Sequence, residues 1–212
     1  VLIFGQVLNG LAVLGAYRAR KDLTKRRVVT TAIEHACVLG ALKQLESEGA
    51  EVIRVAPGVD GAVPTQALVD ALDAQTALCT VQWVNNETGV IQPAPELSRR
   101  CLERKVIFHC DAVQAFGRIP ASLREVPADL LSLSAHKLGG PAGIGMLFNR
   151  RGVGLSPLTP GHQENGRRGG TPAVALAEAL AMALEFAAAI SLGSPASQVS
   201  SLRDLFERKV LA

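Results

Sequence analysis

Short runs of β-branched and other apolar residues alternate along the chain with longer stretches in which apolar positions recur every three to four residues. That alternation is the pattern of βα units around a mostly parallel sheet. The apolar runs predict strands at Arg27–Thr31, Glu51–Val55, Leu78–Val84, Val106–Asp111, Leu130–Ser134 and Ile144–Phe148. Helical spacing predicts helices at Leu8–Ala19, Cys37–Glu48, Thr65–Leu72, Pro95–Arg104, Ala173–Ala189 and Ser197–Leu211. Between the last two strands lies only a Gly- and Pro-rich segment, too short for a crossover helix, so that pair is predicted antiparallel. The fold class is therefore α/β, with a mixed, mostly parallel sheet flanked by helices.

Composition narrows the picture. With 212 residues, 48% of them hydrophobic and 19% charged, the chain is globular and long enough to bury a core without disulfides or a structural metal. A net charge of +3, with basic residues spread along the chain, implies no nucleic-acid surface. Cys37, Cys79, Cys101 and Cys110 form no C-x-x-C pair, which argues against a zinc knuckle or disulfide framework and for a reducing, cytoplasmic setting. The most apolar long stretch, Thr171–Leu192, is interrupted by Glu178 and Glu185 and reads as a buried or amphipathic helix, not a membrane span. No charged leader with a cleavage site is visible and the chain opens on Val1; either its start has been processed or it is part of a longer protein. The serine-rich segment Ser191–Ser201, with Gly193 and Pro195, reads as a link towards a second domain.

Four strand ends carry the candidate chemistry. Ser132-Leu133-Ser134-Ala135-His136-Lys137 sets a lysine, two small hydroxyls and a histidine before a Gly-rich loop. Ligands bind at strand ends of open α/β sheets, where a desolvated lysine is a nucleophile, although the spacing also fits a solvated lysine beside a turn. Asp111 ends an apolar strand, with Gln114 three residues on. A carboxylate there is costly unless it meets a cation, such as a protonated pyridine nitrogen, or several donors, and capping the next helix is the plainer role. Asn85-Asn86 after Val84 offers two amides or simply a turn, and His35 follows yet another strand, where a lone imidazole is commonly structural. Together, the four successive strands each end in a polar group able to face one crevice.

These residues also carry a resemblance. Ala32-Ile33-Glu34-His35, Asn85-Asn86-Glu87-Thr88-Gly89, Asp111-Ala112-Val113-Gln114, Ser134-Ala135-His136-Lys137 and Arg168-Gly169-Gly170-Thr171 resemble, in order, the signature segments of the NifS-like cysteine desulfurases. Those enzymes are class V aminotransferases with the large-domain fold of the type I aminotransferases, depend on pyridoxal phosphate, and have selenocysteine lyase as a relative. The similarity runs from about Leu11 to Ala189. It implies that Lys137 forms a Schiff base with the cofactor and shuttles the substrate α-proton. It further implies that Asp111 pairs with the pyridine nitrogen, that Gln114 and Asn86 hydrogen-bond near the phenolic oxygen or substrate carboxylate, and that His35 stacks on the ring. Ser134 and His136 match phosphate-binding positions. Thr171 matches a phosphate contact supplied by the neighbouring subunit, which implies a homodimer. Residues 1–190 would then be the cofactor-binding large domain and 191–212 a linker with the start of a small domain.

The chain departs from that pattern in two places. Where the family has a phosphate loop with Thr and Ser, this sequence reads Ile3-Phe4-Gly5-Gln6-Val7-Leu8-Asn9-Gly10-Leu11, shorter and without hydroxyls. The family's sulfur-accepting cysteine lies on a loop far downstream of the lysine, and this sequence stops at Ala212. None of its four cysteines matches that position, and Cys37, close to His35, reads as the start of a buried helix without a nucleophilic role. The implied complete enzyme converts L-cysteine to L-alanine, passing sulfur to an enzyme cysteine as persulfide and on to an acceptor protein for iron–sulfur cluster or thio-cofactor synthesis. The 212-residue chain alone is expected to show little or no such activity. The rival readings are another class V enzyme such as selenocysteine lyase, and an inactive remnant or dimerising scaffold.

Overall fold

The computed structural model describes residues 2–3, 5–191 and 195–211. Seven strands, β1 (Leu2–Ile3), β2 (Arg27–Thr31), β3 (Glu51–Val55), β4 (Thr76–Gln82), β5 (Ile107–Asp111), β6 (Leu130–Ser134) and β7 (Gly145–Asn149), form one sheet in the order β1-β7-β6-β5-β4-β2-β3. β2 to β6 pair in parallel, and β7 runs antiparallel to both β6 and β1. The expected mixed sheet and its antiparallel late pair are thus present, with β1 as a strand too short to be read from periodicity.

β4 leaves the ladder two residues earlier than its apolar run suggests. Asn85 explains this: its side-chain oxygen accepts the backbone N–H groups of Glu87 and Thr88 at 3.0 and 2.8 Å, and Gly89 turns at φ 74°, a conformation glycine adopts without strain. Val84 is left to make one isolated bridge to Ile91.

The first helix, α1, is continuous through Gly5–Gly10, a π-helical segment Leu11–Gly15, and Ala16–Arg18. Gly15 is required by contact: a Cβ there would lie 2.8 Å from the Ser156 carbonyl oxygen. The other helices of more than one turn are α2 (Ala36–Ser47), α3 (Thr65–Ala71), α4 (Ala94–Glu103), α5 (Val174–Ser191) and α6 (Pro195–Val210). α6 begins inside the segment expected as a link, whose residues 192–194 lie outside the described ones.

Side chains alternate across the sheet with period two. Val28 and Leu78 pack with Val13, Leu14, Val38, Leu42 and Leu45 of α1 and α2, whereas Val29, Cys79 and Val81 pack with Leu68, Leu97 and Cys101 of α3 and α4. Buried on both faces, every residue of β4 is shielded from solvent, which is why the strand carries no charged residue. One polar rung crosses this core: Thr80 Oγ1 lies 2.8 Å from His109 Nδ1, and His109 Nε2 lies 2.9 Å from Ser132 Oγ. Burial pushes the His109 pKa down to about 3, so the ring is neutral and structural. Among the described residues, no helix is long and apolar enough to cross a membrane.

Candidate active site

The carboxyl ends of β2, β4, β5 and β6 open onto one cavity of about 230 Å³, lined by Asn9, His35, Cys37, Gln82, Val84, Asn86, Asp111, Val113, Gln114, Ser134, His136 and Lys137. Seven of the eight residues singled out in the sequence therefore converge here: His35, Asn86, Asp111, Gln114, Ser134, His136 and Lys137. Thr171 does not line this cavity; it is exposed, just after Arg168, whose buried guanidinium binds Glu164 Oε1 at 3.1 Å and the carbonyls of Gly169 and Gly170.

Lys137 reaches the rim because β6 ends in a single 3-10 turn, Ala135–Lys137. The turn closes on Gly140, whose N–H donates to the Ala135 carbonyl at 2.9 Å. A Cβ on Gly140 would come within 2.9 Å of the Ala183 Cβ, so α5 packs this closely only against glycine. The Lys137 side chain is exposed. Beside it, Ser134 Oγ and His136 Nδ1 are 2.9 Å apart, a hydroxyl and an imidazole able to meet an anion together.

Asp111 is 6% exposed and lies deep in the cavity. Its Oδ1 accepts the Val113 N–H at 3.0 Å and its Oδ2 the Asn9 amide at 2.6 Å. No helix follows for Asp111 to cap, since residues 113–118 are turns; the Val113 bond is a local turn bond and occupies only one oxygen. Burial raises its pKa, with the Val113 and Asn9 hydrogen bonds and the nearby His35 pulling the other way. No salt bridge to Asp111 exists among the described residues. A buried carboxylate held by neutral donors is a receptor for a cation.

The amides of the Asn85-Asn86 pair divide their work. Asn85 builds the turn and donates from Nδ2 to the Ile33 carbonyl at 3.1 Å, whereas Asn86 faces the cavity. His35 caps α2, its Nδ1 accepting the Cys37 N–H at 3.2 Å. Its loop is stapled to β4 by Glu34, which takes the Gln82 N–H at 3.1 and 2.9 Å and the Thr31 hydroxyl at 2.5 Å. Gln82 completes the staple by donating its side-chain amide to the Ile33 carbonyl. Burial drives the Glu34 pKa up to about 8, opposed by the Thr31 and Gln82 hydrogen bonds, so the acid is largely protonated at neutral pH.

Sequence reasoning missed Asn9, Gln82 and Cys37 as lining residues. Cys37 starts α2 as expected, yet its thiol faces the cavity and is only partly buried; burial raises its pKa, which leaves little thiolate and so disfavours a nucleophilic role. Asn9 had a signal, a single amide inside the apolar run Val7–Leu14. In the segment read as a shortened phosphate loop, Phe4 lies outside the described residues. Leu8 is buried against Leu11, Leu130 and Leu147.

Comparison with known proteins agrees with this geometry. The model of the family described as aminotransferase class-V matches residues 10–212. A cysteine desulfurase of Enterobacter agglomerans is 43% identical over 188 residues, which cover 88% of this chain and 46% of that protein. Among solved structures, SspA in complex with cysteine superposes with a TM-score of 0.82 at 37% identity, covering 87% of this chain and 54% of the other. DndA from Streptomyces lividans gives 0.85 at 35% identity, covering 91% and 56%. The chain spans about half the length of the curated relatives it matches. With its sheet order, its strand-end cavity and a family match over nearly its whole length all in agreement, the chain belongs to the class-V aminotransferases.

Proposed function

We propose that this chain is the pyridoxal-phosphate-holding part of a cysteine desulfurase, acting on L-cysteine to give L-alanine while the sulfur passes to an acceptor thiol. The observation that carries the reading is Asp111: a buried carboxylate with neutral donors only, at the floor of a cavity whose rim holds Lys137. The residues fit the cofactor's chemistry. Asp111 suits a ring N–H⁺, His35 offers an imidazole from the α2 end, Asn86 and Gln114 offer uncharged amides, and Ser134 with His136 offers donors to a phosphate.

Bound pyridoxal phosphate supplies an electron sink for charge developing beside an amine. The protein's own part is positioning and proton handling. Lys137 Nζ, on an exposed side chain, can hold the cofactor and carry a proton to and from the substrate α-carbon. Asp111 Oδ atoms accept the ring N–H and keep that proton in place. Asn86 and Gln114 orient polar substituents without adding charge. Thr171, exposed and outside this cavity, suits a contact with a second copy's site, so we include a homodimer with shared sites in the proposal.

The test is titration of the purified chain with pyridoxal phosphate, followed by borohydride reduction and peptide mapping. Label on the Lys137 peptide alone supports the reading, and scattered or absent label removes it. Alanine release from L-cysteine by the full-length gene product, compared with its release from selenocysteine, then assigns the substrate.

A further inference from the structure

The cavity wall holds a chain of hydrogen bonds in which every donor direction is fixed. Asn9 is 3% exposed, and its Nδ2 donates both to Asp111 Oδ2 at 2.6 Å and to Cys37 Sγ at 3.3 Å. Cys37 Sγ lies 2.9 Å from His35 Nδ1, the same nitrogen that accepts the Cys37 backbone N–H. An ionised carboxylate only accepts, so Asp111 dictates which end of the Asn9 amide faces it. The reversed amide would set oxygen against oxygen. The Cys37 N–H donating to Nδ1 leaves the imidazole proton on Nε2, and with the thiol accepting from Asn9 its own proton is free to share that same nitrogen. Among the described residues the buried Asn9 Oδ1 has no hydrogen-bond partner, an expense that this orientation imposes.

We propose that Asn9 and Cys37 are positioning residues that couple Asp111 to His35, holding the carboxylate with a neutral donor and adding a thiol S–H to the backbone N–H that meets the imidazole Nδ1. The assignment rests on the proposed cofactor reading of the cavity. Neutrality of the bridge is the point. A lysine or arginine in place of Asn9 would satisfy Asp111 with a fixed cation and leave nothing for a ring N–H⁺ to offset, whereas an amide fixes the carboxylate's plane and leaves its charge to the ligand. A thiol is likewise a weak, uncharged link, compact enough to stand between an amide and an imidazole at the first turn of α2.

Two measurements on the full chain test this. The first is the Kd for pyridoxal phosphate, read from the visible absorption of the bound cofactor. Asn9→Ala should raise it about tenfold, the equivalent of one hydrogen bond to a charged group, with Lys137 still the labelled residue. The second is the set of imidazole 15N shifts of His35 without cofactor. The native chain and both Cys37 variants should show the Nε2–H form, since the backbone N–H persists, but Cys37→Ala should move the Nδ1 resonance downfield as one donor is lost, and Cys37→Ser should move it back, since the hydroxyl restores the donor. Combining Asn9→Ala with Cys37→Ala should give non-additive changes in Kd, as expected for members of one network. Unchanged affinity in Asn9→Ala, or an unmoved Nδ1 resonance in Cys37→Ala, would overturn the proposal. If Asn9→Ala does not fold, the Cys37 pair at its half-buried site decides by itself. Failure of the native chain to take the cofactor on Lys137 would sink the cofactor reading, while the Nδ1 shift would still judge the coupling.

Discussion

The floor and the rim of the cavity are built on opposite plans. At the floor, Asp111, Asn9, Glu34 and Gln82 are each no more than 7% exposed and each is hydrogen-bonded to another element. At the rim, Lys137, His136 and Asn86 are exposed. Among the described residues the Lys137 side chain has no salt bridge. The difference separates two tasks. Groups that fix charge and orientation work best rigid and desolvated, whereas a lysine that takes up and releases a partner needs room to swing. Substitutions should therefore divide by depth, with the polar floor residues chiefly setting cofactor affinity and the rim lysine setting chemistry.

Lys137→Ala is the sharpest test of the rim. Borohydride-trapped cofactor should fall to background, while the thermal midpoint stays close to that of the native chain because the side chain is exposed. At the floor, Asp111→Ala should weaken cofactor binding by about 2–5 kcal/mol, the usual consequence of removing one member of a buried charge pair. A urea titration of the cofactor-free chain should meanwhile show little loss, because the substitution also removes the unfavourable burial of a carboxylate. Binding and stability falling together would mean that Asp111 is chiefly structural.

Leu8→Ala strikes behind the floor without touching a polar group. Leu8 is fully buried against Leu11, Leu130 and Leu147, so denaturant unfolding should register a loss of about 2–5 kcal/mol. Cofactor affinity should drop with it, since Leu8 backs Asn9 on α1.

Glu34 sharpens the comparison through pH. Its folded pKa, about 8, lies above the ordinary 4.5, so its contribution to stability is full at acid pH and is lost as pH rises through that window. His109 has the opposite sign. Its folded pKa of about 3 lies below 6.5, so its contribution is full above 6.5 and is lost as pH falls towards 3. Chemical unfolding as a function of pH should show Glu34→Gln gaining on the native chain as pH rises, because the amide still accepts the Gln82 N–H and has no charge to bury. A constant difference at all pH values would show that Glu34 does not titrate in this range. The smallest effect is expected from Asn86→Ala at the exposed rim: stability within about 0.5 kcal/mol of native, and a modest rise in Kd.

The sequence was legible where a single local rule operates. Strand positions followed from apolar runs, the antiparallel β6–β7 pair from the shortness of its connection, and the seven cavity residues from polar groups stationed at successive strand ends. It was less legible where one residue type serves two purposes. Asn85 and Asn86 are identical in sequence terms, yet a shift of one position sends one amide into a turn and the other to the ligand side. Glu34 beside His35 gave no sign that it would bind the backbone of β4, 48 residues away.

What the sequence determined by itself was the inventory and its order: six of the seven strands, and that four of them end in a group capable of chemistry, because apolar period and strand length are properties of neighbouring residues. What only the tertiary structure decided was the floor. Asn9 meets Asp111 across 102 positions of the chain and Cys37 across 28. These contacts depend on how α1 and α2 settle against the sheet, and burial, not residue type, sets the protonation of Glu34 and the unmet charge of Asp111.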